Sequence, residues 1–294
     1  MTVPPYRAAP RRPVLRRAAL RRAAAVCALA SALAACGAER PPRPASTAVQ
    51  VPAPPAQPPT LAPGPAGLTP VFAHGSRTRG RRVALTFDAD MTAGQGERAA
   101  AGERFDHPRL IATLRTLKVP ATVFMTGRWA EEYPDQARSL GRDPLFEVAN
   151  HSYSHYAFTG DCYGLPQVAA RHMRRDVERA YAAFRAVGVP DPLPYFRFPG
   201  GCYDRPALKA LAPAGVTAVQ WDVVGGDAFE KDPDVVVRQV LDGVRPGSVV
   251  VLHCTRSAAP ATERAVRALV PELRHRGYRF VKVSDLIRTA GDRR

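Results

Sequence analysis

Short apolar runs alternate with amphipathic stretches through most of the chain beyond residue 80. Runs at 83–87, 121–125, 146–149, 195–198, 216–221, 248–253 and 279–283 have the length and residue types of buried strands. Between most of them lie "HPRLIATLRTLKV", "LPQVAARHMRRDVERAYAAFRAVG", "RPALKALAPAG", "DPDVVVRQVLDGVRPG" and "TERAVRALVPELRHRG", which predict helices, several closed by glycine. Strand alternating with helix predicts an α/β domain with a parallel sheet, either a closed, irregular barrel or a doubly wound sheet. In both architectures the active site belongs at the carboxyl ends of the strands.

The N-terminal region is patterned differently. Seven arginines (Arg7, Arg11, Arg12, Arg16, Arg17, Arg21 and Arg22) lie in a stretch without acid, followed by an apolar run over 23–35. That run is too short for a bilayer span, which needs ~20 residues, and suits the hydrophobic region of a signal peptide occupying 1–35. Its end, "LAAC", resembles the bacterial lipobox. The resemblance implies a lipid on Cys36 and a membrane-anchored lipoprotein on the outer side of the cytoplasmic membrane or at the cell surface of a bacterium; the other reading is ordinary cleavage after an A-x-A-like site, with Cys36 incidental. The arginine pairs are compatible with either general or twin-arginine export. Residues 36–70 are dominated by Pro and Ala without hydrophobic period, as in an extended tether, and leave 71–294 as one catalytic domain of comfortable size.

The formal net charge is +16, of which the leader carries seven charges. The remaining excess suits anionic cell-wall polymers and equally a merely soluble basic surface. Nucleic acid is not expected as a partner of an exported chain without a nucleic-acid-binding motif.

Candidate chemistry gathers at the predicted strand ends. Asp88 and Asp90 close the first strand, and "NHSYSHYAF" follows the third with His151 and His155 four residues apart. On a helical turn that spacing would set both imidazoles on one face, within reach of one metal ion. Arg197 sits in the aromatic run "FRFPGG", where an unpaired guanidinium would be costly. Asp222 and Asp227 follow the fifth strand, and His253 follows four aliphatic residues. Titratable groups at successive strand ends, in chain order, predict a site. His74, His107, His172 and His275 lie outside these motifs and are expected to be structural, as is the solvated run "RHMRR".

In this order "TFDAD", "HSYSH", "RFPGG", "WDVVGGD" and "VLH" resemble the motifs of the polysaccharide deacetylase family (carbohydrate esterase family 4) over roughly residues 81–286. The resemblance implies a distorted (β/α)7 barrel and a metal-dependent hydrolase that removes acetyl groups from sugars. It implies that Asp90, His151 and His155 hold one divalent metal ion. Zinc suits a His₂Asp set best, and cobalt or nickel fits the same donors. It implies further that Asp88 is the general base and Arg197 its orienting partner. His253 is then the general acid, supported by Asp227, and the Gly200 N–H stabilises the oxyanion. Leu252 would line the pocket for the acetyl methyl, and Trp221 a wall of core or pocket.

Three positions depart from the family pattern. Ala89 separates two aspartates that are usually adjacent, so Asp90 either reaches the metal through a local bulge, the reading preferred here, or caps the following loop while water takes its place. Gly200 replaces a common aromatic residue, and Val224 stands where a further acid often lies. Cys162 and Cys202 follow the histidine and arginine motifs onto loops at the rim of the site, which predicts a Cys162–Cys202 disulfide and a reduced Cys254.

The expected activity is N-deacetylation of an envelope or extracellular polysaccharide by a monomer. Peptidoglycan is the preferred substrate and a chitin-like polymer the next. The alternatives are an O-acetyl esterase on xylan and a carbohydrate-binding lipoprotein with impaired catalysis.

Overall fold

A computed structural model describes residues 57–291; the leader at 1–35, Cys36 and the tether as far as residue 56 lie outside the described residues. Among the described residues nine strands form one sheet: β1 (Val71–Phe72), β2 (Arg82–Ala89), β3 (Ala121–Met125), β4 (Phe146–Asn150), β5 (Tyr195–Phe196), β6 (Thr217–Val219), β7 (Val223–Val224), β8 (Ser248–His253) and β9 (Arg279–Phe280). Their order is β1-β6-β5-β4-β3-β2-β8-β7, with β9 added to β2, and every pairing is parallel. The sheet curls into a half-barrel whose ends, β1 and β7, do not pair with each other. This is the distorted, open form of the expected barrel.

Helices α1 (Gly96–Ala100), α2 (Pro108–Thr116), α3 (Gly127–Glu132), α4 (Pro134–Arg142), α5 (Met173–Val187), α6 (Arg205–Leu211), α7 (Pro233–Gly243), α8 (Thr262–His275) and α9 (Val283–Gly291) connect and follow the strands. Strand alternation divides the core. Val83, Leu85, Phe87 and Ala89 of β2 pack with residues of α2, α3, α4 and α8 in the largest apolar cluster. Ala84 belongs instead to a second cluster with Phe124, Ala149, Val249 and residues Val283, Leu286 and Ile287 of α9. By strand alternation this second cluster lies on the sheet face opposite the first, and α9 packs there.

Several boundaries differ from those expected. The run at 279–283 is strand only to Phe280, because Val283 opens α9, where its N–H donates to Thr122 Oγ1 (3.0 Å) and the Ser284 N–H to Glu147 Oε1 (3.1 Å). The helix expected from residue 165 begins at Met173, because Ala157 and Val168 exchange backbone bonds with their neighbours across a turn (Ala157 N–H to Pro166 O, 2.8 Å; Val168 N–H to Ala157 O, 2.9 Å). The stretch at 57–70, read as the tether's end, packs on the domain. Leu61 N–H donates to Thr217 Oγ1 (3.2 Å), and Tyr195 Oη donates to Pro59 O (2.7 Å). Proline holds this stretch extended, leaving its carbonyls free to accept such bonds.

Candidate active site

The carboxyl ends of β2, β4, β5 and β8 converge on a cavity of about 310 Å³ lined by Asp88, Asp90, His151, His155, Gly200, Trp221, Val251 and His253, with Tyr163, Leu165, Val224, Ala228 and Phe229 toward its rim. Asp88 and Asp90 share a face because strand side chains alternate with a period of two. The pairing of β2 with β3 runs unbroken through Asp88↔Phe124 and Ala89↔Met125. The bulge expected to bring Asp90 inward is therefore absent. Ala89 turns to the helix side, where it is fully buried, and Asp90 arrives by ordinary alternation. Its N–H donates to Thr255 Oγ1 (3.0 Å), which anchors the turn away from the strand.

His151 and His155 meet without a helix, contrary to the expected helical turn. Ser152 (φ 69°) and His155 (φ 56°) adopt left-handed backbone, and the His155 N–H donates to Ser152 Oγ (2.8 Å). The imidazole centroids come to 5.1 Å. His151 Nδ1 bonds the carbonyl of Arg197 (2.9 Å), which fixes the proton there and leaves Nε2 toward the cavity. Nε2 of His151 and of His155 lie 3.3 and 3.6 Å from Asp90 Oδ1.

One ligand atom from each of Asp90, His151 and His155 falls within 4.8 Å of the others. Asp90 Oδ1 is buried and finds no hydrogen-bond partner among the described residues. An orphaned carboxylate oxygen facing two imidazoles is a set of donors that could hold a divalent cation. Burial works to raise the Asp90 carboxyl, but His155, His151 and His253 outweigh it and hold it well below the usual range. Burial pushes His155 down to about 4 against the pull of Asp90, so its ring is neutral and free to ligate at neutral pH. At His151 burial is outweighed by Asp88 and Asp90, and the ring is raised.

Behind these donors Arg197 is fully buried and donates from Nη1 to Asp88 Oδ1 (2.6 Å) and from Nε to Val219 O (3.2 Å). Its guanidinium lies over Phe124 (3.9 Å to the centroid). Burial lowers Arg197 although Asp88 opposes it. A guanidinium remains charged in proteins, so Asp88 faces a fixed cation.

Across the cavity His253 Nδ1 bonds Asp227 Oδ1 (2.9 Å), while Asp227 Oδ2 accepts from the His253 N–H (2.7 Å) and from Thr262 Oγ1 (2.6 Å). Burial opposes the charged imidazole, but Asp227, with Asp90 and Asp88 behind it, lifts His253 to about 10. His253 therefore carries a proton at neutral pH, with Nε2 3.9 Å from Asp90 Oδ2.

Asp88, Asp90, His151, His155, Arg197, Asp227 and His253 are thus brought together, and Gly200 and Trp221 line the same cavity. Gly201 (φ 75°) admits the Trp221 ring, which would lie 2.4 Å from a Cβ there. Leu252 is misplaced by the sequence reading. It is fully buried in the helix-side cluster with Val250 and Cys254, while Val251 and His253 face the cavity on alternate positions of β8. Val251, two residues before His253, was legible from that alternation. Thr255 and Thr262, which hold Asp90 and Asp227, carry no such signal. Asp222 stands apart, bonded to Arg77, Ser248 and the Val249 N–H. Cys162 and Cys202 form a disulfide, and Cys254 is free and buried.

The sequence profile of the polysaccharide deacetylase family matches residues 75–219. A chitooligosaccharide deacetylase of Bradyrhizobium sp. (strain ANU 289) is 30% identical over 225 residues, covering 71% of this chain and 94% of that protein. A peptidoglycan-N-acetylglucosamine deacetylase of Bacillus cereus is 28% identical, covering 62% of this chain and 81% of that protein. Among solved structures, a family 4 carbohydrate esterase from Streptomyces lividans in complex with acetate aligns with a TM-score of 0.57 at 26% identity, covering 71% of this chain and 95% of that one.

Proposed function

Because the chain belongs to the polysaccharide deacetylase family, we propose that its cavity hydrolyses the N-acetyl groups of a glucosamine-containing polysaccharide, peptidoglycan first and a chitin-like polymer second. The substrate choice rests on relatives that carry the names chitooligosaccharide deacetylase and peptidoglycan-N-acetylglucosamine deacetylase. The observation that carries the reading is the Asp90–His151–His155 donor set flanked by the Arg197–Asp88 and Asp227–His253 pairs in one cavity.

A divalent metal ion, zinc by the preference of imidazole and carboxylate donors, would be held by Asp90, His151 and His155 and would supply a Lewis acid for water and the acetyl carbonyl. Asp88, held in place by the Arg197 guanidinium, takes a proton from the water that attacks the carbonyl carbon. The backbone N–H of Gly200, which lines the cavity, donates in this reading to the oxygen that gains charge. His253 donates its Nε2 proton to the nitrogen as the carbon–nitrogen bond breaks, releasing acetate and a free amine. Asp227 fixes the ring so that Nδ1 faces the carboxylate and Nε2 the cavity. Val251 and Trp221 present apolar surface to the acetyl methyl.

The proposal extends to place. The lipobox-like "LAAC" and the Pro/Ala-rich tether support a catalytic domain anchored through Cys36 outside a bacterial membrane, where such polymers lie.

Two substitutions separate the roles. Asp88→Asn should leave metal binding intact yet lower acetate release by roughly 10²–10⁴. Asp90→Asn should weaken the metal, and excess metal should restore part of the rate. Acetate release is compared on peptidoglycan, chitin oligomers and acetylated xylan. Release from xylan alone would replace the amide reading with an ester one. Unimpaired release from both variants would overturn the assignment.

A further inference from the structure

The described residues expose four large apolar side chains, Tyr163 (75%), Tyr203 (40%), Val224 (46%) and Phe229 (83%). Tyr163, Val224 and Phe229 all line the catalytic cavity. Scattered apolar groups on a surface need no explanation, but a cluster at one mouth marks a binding surface. The rings of Tyr163 and Phe229 meet there, centroids 6.1 Å apart and planes inclined by 40°, although they come from loops more than sixty positions apart.

Both rings are held by stiff backbone. Tyr163 (φ 52°) is left-handed, followed by Gly164 (φ 70°), and the turn closes with the Leu165 N–H on Cys162 O (3.0 Å). Its neighbour Cys162 is tied by the disulfide to Cys202. Gly200 is what allows the loop so close. A Cβ there would lie 2.6 Å from Cys162 Sγ and 3.3 Å from Tyr163 Cδ2. The aromatic wall missing at position 200 is thus supplied by Tyr163 from another loop. Phe229 follows Asp227 in a turn closed by its own N–H on Gly226 O (3.0 Å). A ring kept in water by fixed backbone gains nothing for the fold and is pre-organised for a ligand.

The cavity, about 310 Å³, is at the small end of the ~300–1,000 Å³ range of ligand sites. A second sugar of a polymer must therefore lie on its rim. We propose that Tyr163 and Phe229 form a stacking platform for a neutral pyranose ring next to the one that loses its acetyl group. The ligand is a β-linked hexosamine chain. With its substituents equatorial, such a ring offers an apolar face of axial C–H groups to the two rings while its hydroxyls stay in water. The nature of the neighbouring sugar rests on the deacetylase reading; the platform itself rests on the two rings.

The test uses the full domain and an N-acetylglucosamine oligomer of five residues. Tyr163→Ala/Phe229→Ala, at exposed positions that the fold does not need, should raise KM about tenfold, with most of the loss in KM and little in kcat. Tyr163→Phe, which keeps the ring, should retain the wild-type KM. Calorimetric affinity for the same oligomer, measured in the Asp88→Asn background to prevent turnover, should fall about tenfold in parallel. If acetate is released and the double variant matches the wild type in KM and affinity, the platform is overturned. If the oligomer binds more tightly to the chain that keeps both rings but no acetate is released, the platform stands and the deacetylase reading falls. Failure of any form to bind the oligomer would overturn the platform.

Discussion

Asp88 and Asp90 stand at the end of β2 with Ala89 between them, and the spacing sets both carboxylates on the concave side by alternation alone. The intervening residue must be small and apolar, because it enters the helix-side core. His253 tests the electrostatics of the same cavity. Its raised value, opposed by burial and sustained first by Asp227, keeps this proposed general acid protonated below about 10. In Asp227→Asn that support is lost, so the folded pKa falls. The alkaline limb of the kcat/KM profile should then move to lower pH, with a rate loss of roughly 10²–10⁴. An unmoved limb would show that His253 is not the titrating acid. The titratable site residues were readable in the chain because a carboxylate, imidazole or guanidinium at the end of an apolar run has no packing reason to be there. The hydroxyls of Thr255 and Thr262 were not, since threonine is ordinary in such loops, and Leu252 displaced Val251 because residue type was read without the face of β8.

At the scale of elements, the junction of β3, β4 and α9 carries a buried acid outside the site. Glu147 accepts from Thr122 Oγ1 (2.6 Å) and from the Ser284 N–H at the start of α9. Burial raises its carboxyl above the usual range, against those hydrogen bonds. A raised carboxyl contributes its stability below the unfolded value of about 4.5 and loses it as pH rises through the folded value. Glu147→Gln keeps an acceptor and removes the charge. Its melting temperature should therefore exceed that of the wild type at pH 8, and the difference should shrink toward pH 4. A constant difference across that range would remove Glu147 as the cause. The same junction shows where pattern reading stops. Residues 279–283 look like one apolar run, yet Thr122 and Glu147, distant in sequence, capture the backbone at Val283 and start a helix. His151 and His155 carried the right spacing for one metal but the wrong local structure, since left-handed residues at 152 and 155 are not written in a four-residue period.

For the whole molecule, no helix among the described residues is long and apolar enough to cross a membrane, and the proposed lipid anchor is on Cys36, outside those residues. Replacing it, Cys36→Ser, should move the protein from the membrane fraction to the soluble exported one. Unchanged membrane association would remove the lipid anchor from the reading. The α/β class, the parallel sheet, the seven main strands and the chemistry at their ends were all determined by the chain itself, because alternation of short apolar runs with amphipathic stretches is a local property and so is a charged residue ending such a run. Only the tertiary structure decided that the sheet stops short of closure and that the proline-rich stretch around Pro59 and Leu61 packs on β5 and β6. It alone decided which of Val251 and Leu252 faces the cavity, and that Tyr163 and Phe229 meet over it. Each of these depends on which distant backbone or side chain arrives to satisfy a hydrogen bond or bury a surface, and distance along the chain carries no record of that arrival.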